Sequence, residues 1–255
     1  VCDIALVGVP HSTGNGTTER DQHFGPRAVR NISALGRRTH LKYELDPWNV
    51  CDIRDLGDVP LPEANNNEKC IEHITEFYRR ITENKARPIS VGGDHSITGG
   101  ILQAIASSNS KLTGGEKAVL LHFDAHTDTA DDAFDGERYN QGTPIRRAVE
   151  EGLLDPHRNI QIGIRGARSD ADYNDFSHDS GMRVIYIEEF YDMGVAAVIE
   201  EARRVVGDGP VYISFDVDGL DPVYAPGTGT PEVGGYSTNE AQRMIRGLQG
   251  LNIIG

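Results

Sequence analysis

Residues 117–128, KAVLLHFDAHTD, join a short apolar run to a cluster of acidic and imidazole side chains. The apolar part indicates a strand that is buried on both faces of a parallel sheet. Asp124, His126 and Asp128 follow at i, i+2 and i+4, where an extended backbone points side chains in the same direction. Like charges held that close are destabilising unless a cation lies between them. The stretch therefore predicts a buried strand that ends at a metal site.

Similar apolar runs recur along the chain and alternate with helical patterns. The predicted strands are 4–9, 88–93, 118–123, 160–164, 184–187, 211–215 and 251–254, and the predicted helices include 69–84, 194–206 and 237–249. Ser237 and Glu240 form a capping-box pattern at the start of the last helix. Alternation of strand and helix predicts right-handed crossovers and a doubly wound α/β sheet. Since no stretch has the composition of a linker, we expect residues 1–255 to form a single domain.

The composition excludes several classes of function. Lys and Arg number 25 against 39 for Asp and Glu, a formal charge of −14, which disfavours nucleic acid and anionic membrane surfaces as partners. A signal-peptide pattern and a long apolar span are both absent, so we expect a soluble protein. Cys2, Cys51 and Cys70 have no metal-binding or disulfide spacing. A reducing cytoplasm is the compartment that this cysteine usage indicates.

Polar clusters follow three of the predicted strands, at 92–96 (GGDHS), 124–128 (DAHTD) and 216–222 (DVDGLDP). Ligands of open α/β sheets bind beyond the carboxyl ends of the strands, where these clusters should meet. The candidate metal ligands are His95, Asp124, His126, Asp128, Asp216 and Asp218. They are too many for one catalytic zinc and favour two ions. Carboxylate-rich, thiolate-free ligands favour Mn²⁺, with Co²⁺, Ni²⁺ or Zn²⁺ as alternatives. Paired ions that share a water lower its pKa, so the pattern predicts a hydrolase.

Each of these residues has an ordinary explanation when it is taken alone. An aspartate after a strand is usually a turn residue or a helix cap, and we interpret Asp221, which precedes a proline, in that way. His122 lies inside the apolar run, and we expect it to be buried or to support the ligands from behind. The occurrence of such residues at three strand ends together favours the metal site.

The motifs GGDHS (92–96), FDAHTD (123–128) and SFDVDGLDP (214–222) resemble those of the ureohydrolases, the family of arginase and agmatinase. The resemblance implies a three-layer α/β/α fold with an eight-stranded parallel sheet, two Mn²⁺ per chain, and hydrolysis of a guanidino group to an amine and urea. It also implies a homo-oligomer, a trimer or a hexamer. Carried over by motif, His95 and Asp128 would bind one ion, His126 and Asp218 the other, and Asp124 and Asp216 would bridge them. Asp128 would also be catalytic, by relaying a proton to the leaving amine.

Two features depart from the family pattern. Gln141 stands where the family usually has a histidine that is thought to shuttle protons, and glutamine does not titrate. We interpret Gln141 as a substrate-binding residue. The family also continues beyond GLNIIG with a strand that bears a guanidinium-binding glutamate, so we expect the sequence to be truncated at its C-terminal end.

The substrate is less constrained than the reaction. Among family members the chain most resembles proclavaminate amidinohydrolase of clavulanic acid biosynthesis, with agmatinase and guanidinobutyrase as alternatives. Arg20 or Arg138 could bind a substrate carboxylate, or each could be a solvated surface charge. A function of another class, a zinc-dependent deacetylase of similar fold, would require one ion per chain. A third interpretation is that the protein is a relative that binds metal but has no enzymatic activity.

Overall fold

A computed structural model describes residues 2–17, 21–34, 36–132, 136–167 and 174–255. The strands are β1 (Ile4–Gly8), β2 (Ile53–Asp58), β3 (Arg87–Val91), β4 (Val119–Phe123), β5 (Ile160–Ile164), β6 (Arg183–Tyr186) and β7 (Val211–Phe215). The α-helices are α1 (Gly25–Ser33), α2 (Asn67–Glu83), α3 (Ile97–Ile105), α4 (Pro144–Glu150), α5 (Asp175–Asp179), α6 (Ile187–Val206) and α7 (Thr238–Gly247). Short 3-10 helices lie at Asp21–Phe24, Pro47–Asn49, Pro156–Arg158 and Val217–Gly219.

All strand pairs are parallel, which confirms the predicted α/β class. The described residues form two sheets, β2-β1-β3 and β6-β5-β4-β7, and therefore seven strands instead of the expected eight. In β4, Leu120 packs into one apolar core, while Val119, Leu121 and Phe123 pack into the other. The sheet is therefore the middle of three layers, as expected.

The predicted strand 251–254 lies beside β7 and forms a single parallel bridge. Val211 N donates to Asn252 O at 2.8 Å, and Ile254 N donates to Val211 O at 2.8 Å. On the other side, the Arg87 guanidinium at the start of β3 donates to the Asn252 side chain at 3.2 Å. Residues 252–255 thus lie between the two sheets, in the position that an eighth strand would occupy.

Two other elements differ from the sequence prediction for clear reasons. β2 was not predicted, because IRDLGD carries charged residues and most of this edge strand is solvent-exposed. Helix α6 begins before the predicted residue 194, since Gly194 adopts a left-handed φ of 73° and interrupts the helical pattern there. The capping box of Ser237 and Glu240 at α7 is confirmed.

The helices cover both faces of the sheet. One apolar core includes Ile74 of α2 and Ile101 of α3, and the other includes Val198 of α6 and Met244 of α7. All three cysteines are free, as their spacing indicated. None of the helices in the described part of the chain is both long and apolar enough to cross a lipid bilayer.

Candidate metal centre

The HFDAHTD stretch brings its polar side chains together by turning, not by remaining extended. β4 ends at Phe123, and the backbone N of Asp124 donates to Ile162 O on β5 at 3.1 Å. The Asp124 carboxylate then accepts from His126 N at 2.6 Å, and Asp128 adopts a left-handed φ of 52°. The predicted extended backbone over 124–128 is therefore wrong, although the expected convergence of the side chains is found.

A first ligand group consists of His95, His122, Asp124 and Asp128, whose ligand atoms all lie within 4.8 Å of one another. His95 Nδ1 is 2.6 Å from Asp128 Oδ2 and 3.2 Å from Asp124 Oδ2. The other ring nitrogen of His95 is hydrogen-bonded to Ser214 Oγ on β7 at 2.7 Å. Residues after β3 and β4 thus meet at one edge of the sheet, as predicted.

A second ligand group consists of Asp124, His126 and Asp218, again within 4.8 Å of one another. His126 Nδ1 lies 3.1 Å from Asp218 Oδ2 and 3.5 Å from Asp124 Oδ1. The Asp218 carboxylate also accepts from Ala125 N at 3.0 Å and from Thr230 Oγ1 at 3.1 Å. Asp124 belongs to both groups, which is the position expected of a bridging carboxylate.

Asp216 takes a place that the sequence argument did not assign to it, and His122 belongs to the first ligand group from its buried position. Asp216 was expected to bridge the ions, yet it belongs to neither compact group. Its carboxylate caps a 3-10 helix by accepting from Asp218 N at 2.9 Å, and its Oδ2 lies 3.3 Å from His95 Nδ1. His122 is fully buried, as expected, with Nε2 2.8 Å from Asp124 Oδ2 and Nδ1 3.0 Å from the Gln161 amide.

The electrostatics of the cluster are dominated by buried carboxylates and the imidazoles between them. Burial, followed by the neighbouring Asp124, raises the pKa of Asp128, and burial with Asp124 and Asp216 raises the pKa of Asp218 well above its usual value. Burial alone would lower the pKa of His126, but the Asp124 and Asp218 carboxylates raise it to about 11. Buried carboxylates held this close together require a compensating positive charge.

The geometry of His95 supports a cation as the natural compensation. Burial alone would lower its pKa, but Asp128, Asp124 and Asp216 raise that pKa well above its usual value. Its Nδ1 is buried and makes no hydrogen bond of proper angle, although the three carboxylates lie 2.6 to 3.3 Å away. Lone pairs that converge without a hydrogen bond suit a metal ion, and this oxygen-rich set with imidazoles fits a divalent ion such as Mn²⁺.

A cavity of about 320 Å³ opens beside the second ligand group. Its lining residues lie at the ends of β4, β5 and β6 or after them, and they are Ala125, His126, Ile164, Arg165, Gly166, Ala167, Asn174, Tyr186 and Glu188. Apart from His126, none of them was predicted from the sequence. Their only sequence signal was their position just beyond the carboxyl ends of strands.

Arg165 connects the loops around this cavity through its guanidinium group. All three of its nitrogens donate to main-chain carbonyls, those of Gly163, Asp218, Gly219, Leu220, Glu232 and Val233. The end of β5 is thereby tied to the loop that carries Asp218 and to the loop that carries Glu232. Sequence reasoning missed this residue because main-chain acceptors leave no pattern in side-chain identity.

The predicted substrate contacts Gln141 and Arg138 belong to neither ligand group. Gln141 is half-buried, and its backbone N donates to Gly14 O at 3.0 Å. Gln141 does not line the cavity beside His126. The Arg138 side chain is 60% exposed and pairs with Glu150 at 3.4 Å, as a surface charge would. Arg20 lies outside the described residues.

Comparison with known proteins places the chain in a family. Residues 2–255 match the Arginase family. The chain is 46% identical to guanidinopropionase of Pseudomonas aeruginosa, over 99% of this chain and 76% of that protein. It is 44% identical to the mitochondrial agmatinase of Gallus gallus, over 99% of this chain and 72% of that protein. The solved structure of proclavaminate amidino hydrolase from Streptomyces clavuligerus superposes with a TM-score of 0.90 at 34% identity, covering 100% of this chain and 81% of that one. The chain therefore belongs to the arginase family and is an enzyme of the amidinohydrolase type.

Proposed function

We propose that this domain, residues 1–255, holds two Mn²⁺ ions and hydrolyses the guanidino group of a small molecule to an amine and urea. The observation that carries the proposal is the pair of ligand groups that share Asp124. One group alone would match a one-ion hydrolase, whereas two groups joined through a carboxylate match a two-ion site. His95 and Asp128 would hold one ion, His126 and Asp218 the other, and Asp124 both, while Asp216 would join from its position beside His95.

The reaction adds water to the guanidinium carbon, forming a C–O bond, and then breaks the C–N bond to the substituted nitrogen. When bound, the two ions supply Lewis-acid charge and lower the pKa of water. The acidic cluster attracts the cationic guanidinium group of the substrate. We assign the proton transfer from water to the leaving amine to Asp128, whose carboxylate is almost wholly buried beside His95 Nδ1.

For the substrate, we propose a linear ω-guanidino compound. The identity of 46% to guanidinopropionase, against 35% to the proclavaminate enzyme, supports a short guanidino acid more than the guanidino precursor of proclavaminate. The guanidino precursor of proclavaminate is a candidate because of the structural similarity, and agmatine is one because of the chicken relative. These molecules share the guanidino group and differ at the far end of the arm, which is a carboxylate, an amine or a carboxylated β-lactam.

The deciding experiment measures urea release by the full-length protein loaded with Mn²⁺. The panel contains 3-guanidinopropionate, 4-guanidinobutyrate, agmatine, arginine and a proclavaminate-type β-lactam, with an acetylated polyamine to detect deacetylation. We expect urea from at least one linear guanidino compound and no acetate. Failure of every guanidino compound to yield urea would overturn the proposed function.

We also propose that the chain forms a homo-oligomer, a trimer or a hexamer. Large apolar side chains are exposed along residues 24–50, among them Ile32 at 66%, Leu41 at 95% and Val50 at 65%. Exposed apolar surface of this kind is typical of protein interfaces. Sedimentation of the full-length protein tests the proposal, and a stable monomer at micromolar concentration would contradict it.

A further inference from the structure

Glu232 lies on the outer side of His126, away from the other ligands. The inner nitrogen of His126, Nδ1, faces Asp218 and Asp124, whereas Nε2 lies 4.0 Å from Glu232 Oε1. Among the described residues, Glu232 provides the carboxylate within ion-pair distance of this outer nitrogen. The imidazole therefore lies between the ligand group and an acidic side chain from a separate loop.

Two features of the fold hold Glu232 in this place. Gly166 has a left-handed φ of 80°, and a Cβ atom there would lie 2.5 and 2.6 Å from the Glu232 carboxylate oxygens. The carboxylate therefore packs directly against a backbone without a side chain. In addition, Arg165 Nη2 donates to the main-chain oxygen of Glu232 at 2.7 Å. The same guanidinium binds the Asp218 carbonyl at 2.6 Å, so the loops of Glu232 and of a ligand are fixed to one another.

We propose that Glu232 is a positioning residue that accepts a hydrogen bond from His126 Nε2 and thereby sets the affinity of the second ligand group for its cation. The inference rests on the proposed function, because it takes His126 Nδ1 as a metal ligand. A ligand histidine whose outer N–H is bound by a carboxylate keeps its tautomer and orientation and becomes a stronger base. The Glu232 side chain is 28% exposed, and a rotation that moves Oε1 by about 1 Å would turn the 4.0 Å separation from His126 Nε2 into a hydrogen bond while the main chain stays fixed.

The test is Mn²⁺ binding to the full-length protein after its metals have been stripped with a chelator. Equilibrium dialysis with metal analysis resolves the affinities of the two ions. In Glu232→Ala we expect one ion to bind about 10- to 100-fold more weakly and the other to bind as in the wild type. Glu232→Gln should retain most of the affinity, because its amide oxygen still accepts a hydrogen bond from Nε2. Glu188→Gln, which removes a glutamate charge from the cavity next to His126, is the matched control and should leave both affinities unchanged.

Three patterns of affinity would overturn the inference: wild-type affinity for both ions in Glu232→Ala, equal losses in Glu232→Gln and Glu232→Ala, or an equal loss in Glu188→Gln. The second and third would assign the effect to overall charge and not to a hydrogen bond. Unfolding midpoints of the stripped proteins should agree across the variants, and a lowered midpoint confined to Glu232→Ala would indicate a structural role instead. Urea release is measured separately, so a wild type that binds two Mn²⁺ but yields no urea refutes the proposed function while the affinities still decide the role of Glu232.

Discussion

The two ligand groups share Asp124 but differ in their surroundings. In the first group, His122 is fully buried and the His95 side chain is 8% exposed, whereas His126 of the second group is 21% exposed and lines the cavity. The imidazoles of the first group are supported from behind by Ser214 and Gln161. The second group faces open volume. The comparison indicates that the first group is the rigid anchor of the centre and that the second is where a substrate arrives.

Removing the charge of the carboxylate that both groups share should have the largest effect on ion binding and activity. In Asp124→Asn we expect both ions to be lost and urea release to fall by more than about 10³-fold, since a preorganised charge is removed from the reacting centre. Metal analysis and the urea assay measure the two effects. Asp221→Asn is the control, because Asp221 caps a nearby turn through Val223 N and Gly234 N. An Asp124→Asn protein with two tightly bound ions and near-normal turnover would refute the bridging assignment.

Removing one histidine from each group should show how the two groups differ in accessibility. His95→Ala and His126→Ala should each lose one of the two ions, and both should lose most activity. Added imidazole should restore ion content and turnover only in His126→Ala, because a cavity of about 320 Å³ lies beside that side chain. Equal rescue of both variants would show that the first group is as accessible as the second.

The buried hydrogen bonds behind the first group should contribute more to the free energy of unfolding than the hydrogen bonds to the second group. Gln161 is fully buried and donates to His122 and to Thr127 O at 2.7 Å, so Gln161→Leu should lower the free energy of unfolding by about 1–3 kcal/mol. Thr230→Val, which removes the hydrogen bond to Asp218, should cost only about 0.5–1.5 kcal/mol. Denaturant unfolding of the metal-free proteins gives both values. A larger loss in Thr230→Val would reverse the proposed ranking.

The smallest effect is expected at Gln141, which lies outside both groups. If Gln141 recognises the substrate, Gln141→His should raise KM by up to about 10-fold, the value of one hydrogen bond, and add no new limb to the pH–rate profile. If the position shuttles protons, the variant should instead be faster and show a titrating limb near the imidazole pKa of about 6.5. Turnover measured from pH 5 to 9 decides between them. A faster enzyme with unchanged KM would show that the recognition role is wrong.

The sequence predicted the site better than the fold around it. Six ligand candidates could be named because strand ends concentrate them in three short motifs, and five of them fall in the two compact groups. The argument that an extended backbone points the side chains at i, i+2 and i+4 in one direction failed, since β4 ends before Asp124 and the chain turns. What brings the side chains together is the meeting of strand ends at one edge, which does not depend on extended backbone.

Other features had no local signal. β2 carries charged residues at Arg54, Asp55 and Asp58 because this edge strand is largely exposed to solvent, so its apolar pattern is weak. Arg165 and Glu232 are single charged residues about 67 positions apart, and their contacts use a main-chain carbonyl. Only the folded chain shows that they lie together. Long-range contacts to backbone atoms cannot be read from residue types, whereas clustered side-chain ligands can.

Arg165 has one more consequence for an enzyme that acts on guanidino groups. Its own side chain carries the same functional group that the proposed reaction cleaves, and it forms part of the wall beside His126. Every nitrogen of that group is engaged by a main-chain oxygen, and the carbonyls hold it in the wall. These hydrogen bonds therefore fix the guanidinium of Arg165 in the cavity wall, whereas the guanidino group of a substrate would enter the cavity free to move.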